Sequence, residues 1–527
     1  MPGLRVAHVG NVANVAYSTA KFQRRMGLEA ALFLFREDYA MAHPEWEDAD
    51  FDVRVDLAAP DWESIPFANR YRRPGWVHYL DGPLVTLAAI DPAGSADSAG
   101  LPPVPGQVRR NLRVLLRAQA ARGQRRLSVL RRTQDLNRSQ RFELMVLSLA
   151  SEALDWLFQQ RMRSDRLSNA ELRATRADVA AVRRHSRLSD SGVSLNVGDL
   201  ARFAHWRSVL HASRAYDLSQ LYGLEAAKGV FLPPEHPLIA VEHSTMRSLP
   251  FENSVRGRLL NLAYRAADAC VITNPDVVAS ATRLGLTRYR YIPHPLDETK
   301  YRDGPSPLTE RLRRDLRADV IFICPTRHEW GNAFDSKRTD RALQAFVRYV
   351  RESEPAGCPR AGLILWEWGT DVAKGKRLLS EAGLNDRVQW QPAMPKLRLL
   401  DYYRASDVVL DQFHDAVGSF GTATAEAMAC GRPVVMYFNP IVHEWCLPEM
   451  PPIQSARTVD EILSRLVDLA ADPERRRRVG AAGRAWVERW HGWERTTRLY
   501  LELYAEIADR RGLAVPPLPT TASSDPR

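Results

Sequence analysis

Short apolar runs recur along the chain, bounded by turn residues and followed by segments with helical spacing. Residues 4–9 (LRVAHV) read as a buried strand, and Asn11 to Asn14 as a turn of small residues. A helix follows at about 15–26, closed by Gly27, and ALFLF at 31–35 is the next strand. Short runs that are apolar throughout suit a parallel sheet covered on both faces. The same signal predicts strands in YDLSQLYG (216–223), PLIAVEHS (237–244) and ACVITN (269–274). A second alternation begins near 319, with strands in VIFICPT, AGLILWEWG, RVQWQP, DVVLDQF and RPVVMYF. Between the two series lies YIPHPLD (291–297), whose prolines flank His294 and favour an extended link at a domain boundary.

The pattern predicts an α/β protein with two Rossmann-like, doubly wound domains facing a cleft. The boundaries read as 1–296 and 297–492, then an amphipathic helix at 493–511 and a disordered tail at 512–527. Two such sheets in tandem would bind a ligand between them, at the carboxyl ends of their strands. Residues 36–100 are rich in Pro, Trp and Asp, show no period, and end in the loop DPAGSADSAGLPPVPG. That loop marks the edge of an insert at about 101–190, which is helical by pattern and includes the apolar run FELMVLSLASEALDWLF. The tryptophans 486, 490 and 493 form a helix stripe that fits core packing better than a sugar platform.

Composition narrows the class. The chain has 527 residues, 45% of them hydrophobic and 26% charged, which suits folded domains rather than wholesale disorder. Five widely spaced cysteines without a CxxC pair argue against a disulfide scaffold and fit a cytoplasmic setting. No secretory leader and no membrane span are expected. The net charge of +10 is local: residues 101–190 hold 19 arginines, no lysine and 8 acids, a balance of +11, and the other 437 residues sit at −1. The insert reads as a solvated helical arm or as a dock for an anionic surface, including peripheral contact with the inner face of a membrane. Nucleic acid is not an expected partner, because no basic motif interleaved with aromatics occurs there.

The segment GSFGTATAEAMACGRPVV (418–435) carries the strongest chemistry. Gly418 and Gly421 let a loop approach a ligand, and TATAEAMA then opens a helix whose first N–H groups face that loop. Unpaired donors at the positive end of a helix dipole form an anion site. Glu426 follows one turn in, where a carboxylate can accept hydrogen bonds from nucleotide hydroxyls.

This segment resembles the donor-sugar signature of retaining glycosyltransferases of the GT-B fold, family 4 type (glycosyl transferases group 1). The resemblance covers about 315–505 well and the N-terminal half more weakly. It implies that Glu426 binds the ribose and that Gly421 and Thr422 face the donor phosphates. The family pattern E-x7-E has its first Glu at the donor sugar, and here Gly418 stands in that place. The stretch CPTRHEWGNAFDSKRTDRALQAF (324–346) resembles the loop whose Arg and Lys grip the diphosphate, which matches Arg327 and Lys337. Fixed cations would stabilise a departing diphosphate without a metal. In IAVEHSTMR (239–247), His243 matches the histidine at the reacting centre, and Ser244 replaces the following glycine. Gly10, Asn11 and Asn14 stand in the first turn, and Gly369 with Thr370 and the loop QPAMPK (391–396) fall at the nucleotide pocket.

The resemblance therefore implies a glycosyltransferase using a nucleoside-diphosphate sugar as co-substrate, with no other cofactor and no metal. Its acceptor would be a glycan, a lipid-linked molecule or a small molecule. The alternatives are a non-catalytic nucleotide-sugar-binding protein and an epimerase or synthase on the same scaffold.

Overall fold

The computed structural model describes residues 4–35, 38–57, 60–80, 141–142, 145–146, 169–188, 195, 213–331, 336–414 and 417–513. Of the basic insert expected at 101–190, the helix Asn169–Leu188 and four isolated residues are described. The rest of that insert, and the tail from 514, lie outside the described residues.

Two parallel sheets form the frame. The first contains β1 (Arg5–Val9), β2 (Glu29–Leu34), β3 (Val77–Tyr79), β4 (Leu218–Tyr222), β5 (Leu238–Val241), β6 (Ala269–Ile272) and β7 (Tyr289–Tyr291), in the spatial order β3-β2-β1-β4-β5-β6-β7. The second contains β8 (Val320–Cys324), β9 (Ala361–Trp366), β10 (Val388–Gln391), β11 (Val408–Leu410), β12 (Val434–Met436) and β13 (Gln454–Ser455), in the order β10-β9-β8-β11-β12-β13. Both orders reverse between the first and fourth strands, β1|β4 and β8|β11. A doubly wound sheet opens a crevice at that reversal, outside the carboxyl ends of its strands. The central strands are buried on both faces; β5, β8 and β9 are unbroken apolar runs, whereas β4 (LSQLY) buries the polar side chains of Ser219 and Gln220 as well.

The described residues between 38 and 80 hold more order than their aperiodic sequence indicates. A short helix, α1 (Pro44–Asp48), and β3 lie there, and Trp46, Phe51 and Trp62 form a small aromatic core. The packing is aromatic rather than periodic, so a search for helical or strand spacing passes over it. The described part of the insert, α2 (Asn169–Leu188), packs against α3 (Val255–Ala266) and buries Val179 and Val182 in the core of the first sheet.

Two chain crossings join the halves and lie side by side. Leu296 forms a parallel bridge with Gly492, Leu296 N donates to His491 O at 3.1 Å, and Trp493 N donates to Glu298 Oε2 at 3.0 Å. The last helix, α6 (Trp493–Arg511), then packs on the first sheet through Tyr500, Leu501, Leu503, Tyr504 and Ile507. Tyr504 Oη donates to Gln220 Oε1 at 2.6 Å, and the Arg511 guanidinium pairs with Asp268. Trp486 is buried in the core of the second half, as its stripe position indicated. No helix among the described residues is long and apolar enough to cross a membrane.

Candidate functional site

The first sheet brings one tight turn to its crevice. Gly10 ends β1 with φ +79°, and a Cβ there would lie 2.4 Å from Glu225 Cγ, so only glycine fits. The side chain of Asn11 is buried and engaged inside the turn: Nδ2 donates to Asn14 Oδ1 (2.9 Å) and Ala42 O (2.7 Å), and Oδ1 accepts from Tyr17 N (3.1 Å). Its place is thus a brace for the helix that follows. Ala13 and Asn14 both take left-handed backbone geometry, φ 49° and 59°. Such geometry is strained for alanine, and strain of this kind gathers at ligand sites. Ala13 N donates to Tyr39 Oη at 3.1 Å, and the Arg327 cation of the second half acts on that phenol.

The second sheet brings three loops together. Gly369, φ +110°, lies against His328, where a Cβ would be 2.4 Å from the carbonyl oxygen. Thr370 donates to both carboxylate oxygens of Glu329, from N at 3.2 Å and Oγ1 at 2.7 Å. Gly369 and Thr370 therefore clasp the loop after β9 to the loop after β8, the one that carries Arg327 and Lys337. Glu329 O in turn accepts from Lys337 N at 2.7 Å.

Gln412 is the junction of this half. Lys337 Nζ donates to Gln412 Oε1 at 2.6 Å, and Gln412 Nε2 donates to Ser419 O in the glycine loop. Gly418 has φ +56° and passes 2.6 Å, measured from a Cβ built there, from Asn439 Cβ. It leads into α4 (Thr422–Ala429), whose N-cap is Gly421 and whose first turn has no side-chain cap. Lys337 is thus held beside a loop that ends in uncapped amides. The two sources of positive potential face one region, which is what an oxyanion or diphosphate requires. Asp411 does not supply the missing sugar carboxylate: its oxygens accept from Thr326 Oγ1 and Thr424 Oγ1 (2.6 Å), pinning α4 to β8.

Glu426 is 1% exposed and ion-paired with Lys396 Nζ at 2.6 and 2.7 Å, with Tyr403 Oη at 3.2 Å. Burial pushes its carboxyl upward, against the pull of Lys396. Above it the first half folds over: Lys300 Nζ binds Glu47 Oε1 at 2.5 Å and Glu47 O at 2.7 Å, and Arg398 Nε binds Asp50 at 2.7 Å. The result is a narrow pocket between the halves, lined by Ala13, Asn14, His294, Lys300, Thr422 and Glu426 among others.

His243 follows β5 into the same region. Burial, then His294, Arg247 and Lys337, hold its imidazole well below the usual range. Lys337, from the second half, thus adds to the field that disfavours a charge on this first-half imidazole. The Glu242 carboxylate turns the other way, its Oε2 accepting from Asn274 Nδ2 at 3.3 Å, while its backbone carbonyl accepts from Thr273 Oγ1. Sequence reasoning singled out Gly10, His243, Arg327, Lys337, Gly418, Gly421, Thr422 and Glu426, and these come to the two crevices. It missed Lys300 and the acidic run Glu47–Asp52, reached Lys396 only as the last residue of the loop QPAMPK, and read Gln412 only as part of the strand DVVLDQF. The dense acids of EWEDADFD in an otherwise aromatic stretch were the available signal.

Residues 330–486 match the model of the family described as glycosyl transferases group 1. The chain is 34% identical over 157 residues to a D-inositol 3-phosphate glycosyltransferase of Xylanimonas cellulosilytica, a match covering 27% of this chain and 34% of that protein. It is 29% identical over 162 residues to a GDP-mannose-dependent monoacylated alpha-(1-6)-phosphatidylinositol monomannoside mannosyltransferase of Corynebacterium glutamicum, covering 30% and 41%. The chain thus spans about a third to two fifths of the curated relatives it matches. Among solved structures, a sucrose-phosphate synthase of Thermosynechococcus elongatus aligns with TM-score 0.49 at 14% identity, covering 96% of this chain and 100% of that one. Anabaena HepE, solved with UDP and glucose, aligns with TM-score 0.47 at 17% identity, covering 64% and 96%.

Proposed function

We propose, from the match of residues 330–486 to the glycosyl transferases group 1 model, that the protein transfers a sugar from a nucleoside-diphosphate sugar to an acceptor hydroxyl. The observation that carries this reading is the junction at Gln412, which sets Lys337 beside the loop opening onto the uncapped amides of α4. In the reaction the bond from the anomeric carbon to the diphosphate breaks, and its electron pair leaves on the diphosphate. The acceptor oxygen bonds to the anomeric carbon and releases its proton. Negative charge grows on the leaving group, and prearranged cations and amides stabilise it more than they stabilise the intact donor.

Arg327 and Lys337 act as the cations, with Gly421 and Thr422 supplying backbone donors. Glu426, on its Lys396 partner, takes the ribose by exchanging part of that ion pair for hydroxyl hydrogen bonds. The pocket between the halves is narrow, so the halves part to admit the donor and close to exclude water. The bridge between Leu296 and Gly492 is the natural hinge, because both crossings of the chain meet there. Retention of the anomeric configuration, and an acceptor that is a glycan, a lipid-linked molecule or a small molecule, belong to the same reading. So does peripheral contact of the cationic 101–190 segment with an anionic membrane from the cytoplasmic side.

The test is thermal-shift screening with uridine, guanosine and adenosine diphosphates and their sugars, followed by turnover. A ligand at about 100 times its Kd stabilises the fold by roughly 2.7 kcal/mol. One nucleotide series should shift the transition, and Lys337→Ala should abolish both shift and turnover. Conversion of the nucleotide sugar itself, without an acceptor, would favour an epimerase instead.

A further inference from the structure

Two imidazoles stand where the halves meet with their hydrogen-bonding capacity unused. His243 follows β5, and His294 is fixed in the link between Pro293 and Pro295. Their ring centroids are 5.2 Å apart at an interplanar angle of 61°, an edge-to-face contact. Neither ring makes a hydrogen bond to the described residues, and both Nδ1 atoms are buried. A buried polar atom left without a partner is destabilising. Two of them, side by side at the edge of a pocket, describe a site that a ligand completes.

The surroundings say what kind of ligand. His294 lines the pocket with Ala13, Asn14, Thr422 and Glu426, and His243 lies within the field of Lys337. The pair therefore stands beside the phosphate-facing end of α4. Burial keeps both rings uncharged, pulling His294 down to about 4 and His243 well below its usual range. A neutral imidazole presents one N–H and one bare nitrogen. Phosphate oxygens only accept hydrogen bonds, whereas a sugar hydroxyl both donates and accepts, so two neutral rings suit hydroxyls. Gly418, at the position where a carboxylate would reach the sugar, has no side chain to offer.

We propose that His294 is a sugar-binding residue, which with His243 forms a two-imidazole subsite for hydroxyls of the sugar carried by the donor. The subsite rests on the glycosyl-transfer reading above and adds a contact that the sequence motifs do not contain.

Calorimetric titration separates the two claims. Wild type, His294→Ala and His294→Gln are each titrated with uridine, guanosine and adenosine diphosphates and with their hexose conjugates. Nucleoside diphosphate affinity should stay within about twofold in all three proteins. The hexose conjugate should bind about tenfold more weakly to His294→Ala and recover most of that loss in His294→Gln, whose amide also donates and accepts. Unchanged binding of the conjugate to His294→Ala would overturn the subsite and leave the diphosphate site standing. Parallel loss of plain diphosphate binding in both variants would make the ring a strut of the link, and would also overturn it. Failure of wild type to bind any of these nucleotides would remove the glycosyl-transfer reading itself, and the subsite with it.

Discussion

Lys337 Nζ lies 2.6 Å from Gln412 Oε1, and the amide of the same glutamine donates to Ser419 O. One neutral side chain thus fixes a cation from the loop after β8 against the loop that opens α4. Gln412→Leu removes both bonds at nearly constant volume. A hydrogen bond to a charged group contributes about 1.5–3 kcal/mol, so kcat/KM should fall roughly 10- to 100-fold. Steady-state kinetics against the wild-type donor checks this. An unchanged kcat/KM would show that Lys337 needs no brace.

The helix that presents the amides is itself held from behind. In α5 (Pro473–Trp490), Gly480 sits where a Cβ would lie 2.0 Å from Gly431 O, and Gly483 faces Met428 of α4 at 3.2 Å. Because the atom met by Gly480 is backbone, α5 must move away from α4 to accept even a methyl group. Gly480→Ala should destabilise the protein by about 1–3 kcal/mol in chemical denaturation and weaken nucleotide binding. Gly304→Ala, where a Cβ meets nothing within 4 Å, is the matched control and should do neither.

The acidic run of the first half presses on the second with bonds of unequal value. Lys300 and Glu47 are largely buried, with side-chain exposures of 12% and 14%, and Tyr301 Oη also reaches Glu47 at 3.3 Å. Arg398 pairs with Asp50 and with Asp52, which is 83% exposed. Removing one member of a buried pair strands its partner and costs about 3–5 kcal/mol, whereas exposed pairs contribute about 0–1 kcal/mol. Lys300→Met should therefore lower stability severely at any salt concentration. Arg398→Met should lower it slightly, and less at high salt. Equal effects in urea titrations would contradict this division.

Glu242 gives the fold a pH dependence between acid and neutral pH. Burial lifts its carboxyl from 4.5 to about 7, with Arg247 and Asn274 pulling the other way. Between those values the folded protein holds a proton that the unfolded chain has released. The contribution of Glu242 to stability therefore falls as pH rises from 4.5 to about 7 and stays low above. Glu242→Gln removes the titration and should raise the midpoint at pH 8 relative to pH 5, by about 2–4 °C for each kcal/mol regained. A wild-type-like pH profile of Tm in the variant would refute the assignment.

How much of this was written in the chain depends on the kind of signal. β5, β8 and β9 are continuous apolar runs and announce a parallel sheet, and Gly418, Gly421 and Glu426 stand in a motif with a physical meaning. The strands β3, β7 and β13 span two or three residues each, too short for a period to show. The partners of the motif were hidden for another reason. Lys396 meets Glu426 across 30 positions, and Lys300 meets Glu47 across 253, so neither pairing follows from local spacing. Asn11 matched the expected turn, but which way its amide points is decided by Ala42 and Asn14, which no pattern in the turn reveals. The acidic cap likewise became legible only when Trp46, Phe51 and Trp62 were seen to pack together.

The most direct measurement is a crystal structure of the full chain with the nucleoside diphosphate that stabilises it most. The account predicts the diphosphate at hydrogen-bond distance, about 3 Å, from the amide of Thr422 and from Lys337 Nζ, with the ribose on Glu426. A diphosphate bound away from the mouth of α4, with Lys337 still turned to Gln412 and the Glu426–Lys396 pair untouched, would contradict it.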